Sequence, residues 1–292
     1  MQWKSAIAGL VFWFAHASSA AELTVADLWQ RGDLNASEAR MQAALAAVSG
    51  DEAMIIRTQL ARVHIFRRQF DQARQELEAI EKVLPTAGPE ARTYYWLELG
   101  RSYASHQHSD GAQTPETRAL ALEAFRQAMT LAKQAGLDGL AVDALHMMPF
   151  AETELEAQIR WNQQAILLAT RSTQPAAQRW EPSLRSNLGE TLFEAGRYDD
   201  ALAEFQRALA LRILDQAPEN QIRDASWHVA RTLRVLGQVE RALEIQQRLA
   251  DEALSGNAQR HYIFDELSAL YAAQGDTDRA QHFAEHSRQL GQ

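Results

Sequence analysis

The chain repeats a spacing rather than a sequence, and that spacing restricts it to one kind of architecture. The clearest instance is Leu188-Gly189-x2-Leu192-x3-Gly196-x4-Ala201-x3-Phe205-x2-Ala208. With the small residue Gly189 as origin, large residues follow three and sixteen places on, a glycine seven on, and small residues twelve and nineteen on. The register returns from Ala230 as Leu233, Gly237, Ala242, Gln246 and Leu249, and from Ser268 as Tyr271, Gly275, Ala280, Ala284 and Ser287. Upstream it runs from Ala61 as His64, Arg68, Ala73, Leu77 and Ile80, with Pro85 closing the unit. A first half stands at Trp96-x2-Leu99-Gly100-x2-Tyr103. Its second half, Ala121-x3-Phe125-x2-Ala128, is displaced by nine residues within the polar stretch SHQHSDGAQTPETR. A fainter copy starts at Leu145 with Met148, Ala157 and Trp161. Recurrence at such a period is the mark of stacked structural units.

Each unit divides into two amphipathic stretches of roughly 12–15 residues joined by a tight turn, the periodicity of a helical hairpin. Composition agrees: Ala, Leu, Gln, Glu and Arg dominate, all strong helix formers, and only 14 Gly and 7 Pro occur in 292 residues. Small side chains at the origin and twelve places on let the two helices approach closely, large ones fill the space around that crossing, and the residue nineteen on faces the next hairpin. Gly196, Gly237 and Gly275 end first helices where a left-handed turn costs glycine least. A hairpin cannot bury its apolar face alone, so neighbours stack into an α-solenoid. The expected fold is all-α: residues 53–292 as a solenoid of about six units, one with an enlarged loop near 105–118. Residues 21–52 are expected to form an N-terminal capping helix or half-repeat, with Ser37–Val48 as its helical part.

Trp96-x2-Leu99-Gly100-x2-Tyr103, Ala201-x3-Phe205 and the stretch GRYDDALAEFQRALAL (196–211) resemble the tetratricopeptide-repeat (TPR) family, over residues 35–292. The resemblance implies a right-handed superhelix whose first helices line a concave face that binds protein or peptide partners. Origin-to-origin spacings run from 38 to 45 residues, against about 34 in that family. Longer helices or inter-unit loops such as STQPAAQRWEP (172–182) must take up the difference, as in long-unit bacterial members.

On that geometry the residues one after each origin and two before it point into the groove. One after are Arg62, Arg101, His146, Glu190, Arg231 and Ala269; two before are Gln59, Glu98, Asp143, Asn187, His228 and Glu266. Each pair lies three apart, hence on one helix face. Tyr94, Trp227 and Tyr262 add aromatic surface. The candidate groove therefore comprises Arg62, Tyr94, Glu98, Arg101, Asp143 and His146 towards the N-terminus. Asn187, Glu190, Trp227, His228, Arg231 and Tyr262 continue it towards the C-terminus. Arginine with aromatics is the composition of binding hot spots, although Glu98–Arg101 and Asp143–His146 read equally as exposed helix pairs of small energetic weight. The mixed charge favours an extended peptide or a zwitterionic partner. Two expectations follow: Arg62→Glu with Arg101→Glu weakens partner binding while melting is unchanged, and deletion of the loop around 106–114 leaves the fold intact. Trp29, Trp161 and Trp180 read as core or seam residues.

The chain has no cysteine, which removes disulfides, thiolate metal sites and cysteine nucleophiles. A net charge of −9 argues against a nucleic-acid partner. His282, Glu285 and His286 reproduce an H-x-x-E-H zinc spacing, but they fall on the second helix of the last unit, where the register already explains Ala284. His106 and His108 sit in a polar loop. No phosphate loop or G-x-S-x-G elbow occurs, so no cofactor, metal or catalytic residue is expected.

The first twenty residues, MQWKSAIAGLVFWFAHASSA, have the layout of a secretory signal peptide: Lys4, an apolar run Ala6–Ala15, and small residues Ser18 and Ala20 for cleavage after Ala20. That run is half of the roughly 20 residues that span a bilayer, so no integral membrane segment is expected after cleavage. The overall expectation is an exported, periplasmic, non-catalytic TPR scaffold or adaptor that binds protein or peptide through its concave face. The alternative is a regulatory sensor that takes a small peptide and controls a separate enzyme; an envelope metallopeptidase is more remote.

Overall fold

The computed structural model describes residues 24–30, 32–109, 111–255 and 260–290, and every regular element among them is helical. The expected signal peptide at 1–20 lies outside the described residues. Helices α1 (Val25–Leu28) and α2 (Leu34–Leu45) precede a series of hairpins. These are α3 (Gly50–Phe66) with α4 (Phe70–Glu81), α5 (Pro89–Tyr103) with α6 (Pro115–Gln134), and α7 (Asp138–Met147) with α8 (Leu155–Arg171). After the one-turn α9 (Pro175–Gln178) come α10 (Glu181–Glu194) with α11 (Tyr198–Leu214), α12 (Glu219–Val235) with α13 (Val239–Ser255), and α14 (His261–Ala273) with α15 (Thr277–Leu290). Each first helix packs on its own second helix and on the second helix before it: α5 on α4, α7 on α6, α10 on α8, α12 on α11, α14 on α13. Consecutive first helices also touch, α3 with α5, α5 with α7 and α12 with α14. They therefore form the inner wall of an α-solenoid.

The recurring small and large residues meet as the hairpin argument requires. A Cβ on Gly100 would lie 2.3 Å from the Phe125 ring, and one on Gly189 would lie 2.6 Å from the Phe205 ring. Phe125 is thus the sixteen-on residue of its unit despite the nine-residue displacement. Ala73, Ala201 and Ala242 at the twelve-on position, and Ala121 at its equivalent displaced by nine residues, are fully enclosed. Gln246 replaces the large apolar residue in its unit and is buried too; its side-chain amide donates to the Ile263 carbonyl at 2.8 Å, which satisfies part of what burial costs a polar group.

The third hairpin departs from the expected register. Ala157 and Trp161 are only half-buried, whereas Asn162, Ile166 and Ala169 are enclosed, with the four-then-three spacing of Ala201, Phe205 and Ala208. The second helix enters its core five residues later than expected. The cause is a 3-10 turn at Met148–Ala151, carrying Pro149, which stops α7 early and lengthens the connection.

Four of the hairpin turns share one geometry. Gly196 has φ +73, and the Arg197 N–H donates to the Leu192 carbonyl at 2.9 Å; Gly237 and Gly275 repeat it. In the first hairpin Arg68 takes the same place with φ 61, and the Gln69 N–H donates to the His64 carbonyl at 2.9 Å. A left-handed conformation costs a side-chain-bearing residue about 1–2 kcal/mol, more than the extra chain entropy of glycine, about 0.5–1 kcal/mol. Arg68→Gly is therefore expected to stabilise the protein by about 0.5–1 kcal/mol, read as a higher Tm by circular dichroism.

The N-terminal cap and the polar loop are both tied down. Leu28 is buried with Met41, Ile56, Leu60 and Val63, and the Trp29 indole N–H donates to Gln59 Oε1 at 3.1 Å. In the connection from α5 to α6, the His108 ring stacks on Phe70 at 3.8 Å; just before it, Arg74 of α4 donates to the Ser102 carbonyl in the last turn of α5 at 2.9 Å. The loop is part of the packing of the first hairpin. Excising 106–114 uncovers Phe70, so the deletion, expected to leave the fold intact, should still lower stability.

Candidate binding groove on the inner wall

Each step from one first helix to the next is bridged by a polar link, and the stripe residues make most of these links. Arg62 on α3 lies 3.7 Å from Glu98 on α5. Arg101 donates to Glu98 at 2.5 Å and also to Asp143 on α7. His146 Nδ1 lies 3.1 Å from the Asn187 amide, joining α7 to α10. Glu190 on α10 accepts from Arg231 of α12 at 2.7 Å and meets His228 Nδ1 at 2.6 Å. Arg234 donates to Glu266 at 2.5 Å and the Tyr262 hydroxyl donates to Asp224 at 2.9 Å, joining α12 to α14.

The wall differs in character along its length. In the N-terminal half Glu98 is 0% exposed, Arg101 4% and Asp143 5%. Burial works against the charge on Arg101, but Asp143 and Glu98 outweigh it and raise its pKa. Burial likewise opposes ionisation of Asp143, yet Arg101 and Arg62 hold its carboxyl below the usual range. Burial, helped by the carboxylate of Glu90, pushes the Tyr94 hydroxyl up to about 12. These residues bind each other between helices rather than presenting themselves as surface pairs. Arg62→Glu with Arg101→Glu would therefore set two further charges against buried carboxylates, so the expectation of unchanged melting does not hold for Arg101. Arg62, with a quarter of its side chain exposed, remains accessible.

His146 sits where the two halves meet, edge-on to Phe150 at 5.6 Å and against Trp180 at 5.2 Å. Burial lowers its pKa from 6.5 to about 4. The folded form resists protonation that the unfolded chain accepts, so this residue's contribution to stability is complete above pH 6.5 and is lost as pH falls towards 4. Over that window stability is expected to drop by up to about 1.4 kcal/mol per pH unit. His146→Gln should flatten this slope in urea melts run from pH 7 to pH 4.5. Asp143, with its lowered pKa, contributes its own loss only at more acid pH.

The C-terminal half is open. The Trp227 and Tyr262 rings stand at 79° with centroids 5.3 Å apart. The Arg231 guanidinium lies 4.0 Å from the Phe193 ring centroid and 4.9 Å from that of Trp227. His228 stacks on Phe205 at 4.9 Å. A cavity of about 500 Å³ is lined by Asp224, Trp227, His228, Arg260 and Tyr262. Sequence reasoning found three of these and missed Asp224 and Arg260. Asp224 had a signal: it stands six residues before its origin, the place Tyr94 and Tyr262 hold in their own units. Arg260 precedes α14, where no periodicity operates.

His282 and His286 lie on α15. His286 is packed edge-to-face on Phe264 at 4.4 Å, and Glu285 bonds Arg288 at 2.5 Å. Among the described residues no group of three or more His, Cys, Asp or Glu is placed to hold a metal ion, and no helix is long and apolar enough to cross a membrane.

The tetratricopeptide-repeat family model matches residues 182–213, the α10–α11 hairpin that carries the Gly189–Phe205 contact. The fold also superposes on the signal-transduction ATPase (STAND) protein with a tetratricopeptide repeat sensor from Pyrococcus horikoshii, with a TM-score of 0.69 at 15% identity over 89% of this chain and 39% of that one. The chain has the TPR fold and carries a recognisable tetratricopeptide repeat at 182–213. Its hairpins form the right-handed TPR solenoid, and the inner wall described above is the concave TPR face. It spans well under half of the archaeal protein's length. Aspartyl phosphate phosphatase F from Bacillus subtilis is a second structural neighbour, with a TM-score of 0.56 at 12% identity over 89% of this chain and 64% of that one. Among curated proteins none matches the sequence.

Proposed function

We propose that this TPR protein is an exported, non-catalytic scaffold of the bacterial envelope that captures a protein segment or peptide along its concave face. The observation that carries the reading is the open C-terminal half of that face, where a cavity of about 500 Å³ bounded by Trp227, His228 and Tyr262 lies beside the stacked Arg231. A preformed wall with aromatic and arginine anchors loses little ordering entropy on binding. The leader-like start, MQWKSAIAGLVFWFAHASSA, supports export.

Photo-cross-linkers separate this from a purely structural role. Placed at Ser183, exposed on α10 six residues before its origin, the probe should label one partner. Placed at Arg207, exposed on the second helix α11, it should label none. Equal labelling from both positions would refute binding through the concave face. N-terminal sequencing of the protein from the producing cell should begin at Ala21; a start at Met1 would overturn export. The size of the cavity also suits a second reading, a sensor that takes a short peptide and controls a separate enzyme; in that case Ser183 labels a peptide rather than a folded protein.

A further inference from the structure

The cavity between α12 and α14 is bordered by a carboxylate that is only partly used. Asp224 keeps half of its side chain exposed, and its Oδ1 accepts both from the Tyr262 hydroxyl at 2.9 Å and from Arg260 Nη1 at 3.2 Å. Arg260 spends one nitrogen on both partners, since Nη1 also donates to the Tyr262 oxygen at 2.9 Å. This is not the forked, two-point geometry in which guanidinium and carboxylate bind most strongly. Arg260 is moreover the residue just before α14 and makes no side-chain capping bond to that helix, so its side chain gives up only its bonds to Asp224 and Tyr262 on leaving.

The remaining walls suit a cation. Trp227 and Tyr262 form an aromatic corner, and the face of an indole attracts positive charge. Arg231 already shows the preference in place, with its guanidinium over Trp227 and Phe193. Burial raises the Tyr262 pKa, so its hydroxyl stays protonated and continues to orient Asp224. Glu190 is already engaged by Arg231 and His228, which leaves Asp224 as the carboxylate of the pocket, and the chain as a whole carries −9.

We propose that this pocket is a subsite for a basic side chain of the bound segment, an arginine or a lysine, and that Arg260 is its resident stand-in, displaced when the segment docks. The inference rests on the concave-face reading and adds the chemistry of one anchor to it. Displacement makes a counter-intuitive prediction. A self-occupied site has its apparent affinity reduced by the fraction of time it is free. Removing Arg260 should therefore tighten binding of a cation, although it removes a polar residue from the pocket.

The test is calorimetry of the full chain with two capped tripeptides, acetyl-Gly-Arg-Gly-amide and acetyl-Gly-Glu-Gly-amide. The arginine probe should bind, bind about tenfold more tightly to Arg260→Ala, and fail to bind Asp224→Asn with helicity and Tm unchanged. Preference for the glutamate probe, or loss of binding in Arg260→Ala, would make the pocket an anion site and overturn the proposal. Absence of binding by the arginine probe to both the native chain and Arg260→Ala would overturn it as well. Ser183 cross-linking reports separately: a partner still labelled there while the arginine probe fails means that the groove binds and this subsite assignment is wrong.

Discussion

Gly100→Ala is expected to destabilise the protein by about 2–3 kcal/mol. In isolation the exchange should help, because alanine is favoured over glycine inside a helix by about 1 kcal/mol. Here the new methyl would lie 2.3, 2.6 and 2.9 Å from three atoms of the Phe125 ring, far inside contact distance. Phe125 is fully buried and cannot swing into solvent. Either the ring leaves its rotamer or α5 and α6 move apart, and both disturb the contact that defines the hairpin. The control is a double-mutant cycle in urea: Phe125→Leu should cost stability alone but recover part of the loss when combined with Gly100→Ala. Additive effects would mean that the two side chains do not share this space. Gly189→Ala against Phe205 should behave alike, since its methyl would lie 2.6 Å from the ring.

Arg101→Met should be at least as costly, about 3–5 kcal/mol, the range for a buried ion pair stripped of one partner. The side chain is held between Glu98 and Asp143, and Glu98 Oε2 already lacks a hydrogen bond. Without the guanidinium two carboxylates face each other across α5 and α7 with little water to stabilise them. The companion experiment replaces all three, Glu98→Leu, Arg101→Met and Asp143→Leu. Such exchanges of a whole buried ionic cluster are often neutral or stabilising, so the triple variant should recover most of the lost stability in thermal melts. Failure to recover would show that the cluster contributes more than mutual charge neutralisation.

The hairpins were legible because their signal is steric and periodic. Gly189 with Phe205, and Gly100 with Phe125 nine residues out of step, announced contacts that depend only on side-chain size. The third hairpin was misplaced by five residues because a 3-10 turn at Met148–Ala151 adds length without adding a pattern. The stripe positions were legible as a face but not as an environment. Nothing in the identities of Glu98, Arg101 and Asp143 distinguishes a solvated ion pair from one enclosed between helices, since that depends on how far adjacent units rotate. Asp224 needed only the six-before-origin position to be read across units, whereas Arg260 lies at a helix start and becomes visible only when the pocket is assembled.

The bridges between first helices also differ in how far water and salt reach them. Enclosed links such as Arg101–Asp143 are shielded from dissolved ions, whereas Arg231–Glu190 and Arg260–Asp224 are open to them and weaken as salt rises. Rising salt should therefore loosen the ties at Glu190 and Asp224 before the one at Asp143, with Arg234–Glu266, whose carboxylate is buried, still holding α12 to α14.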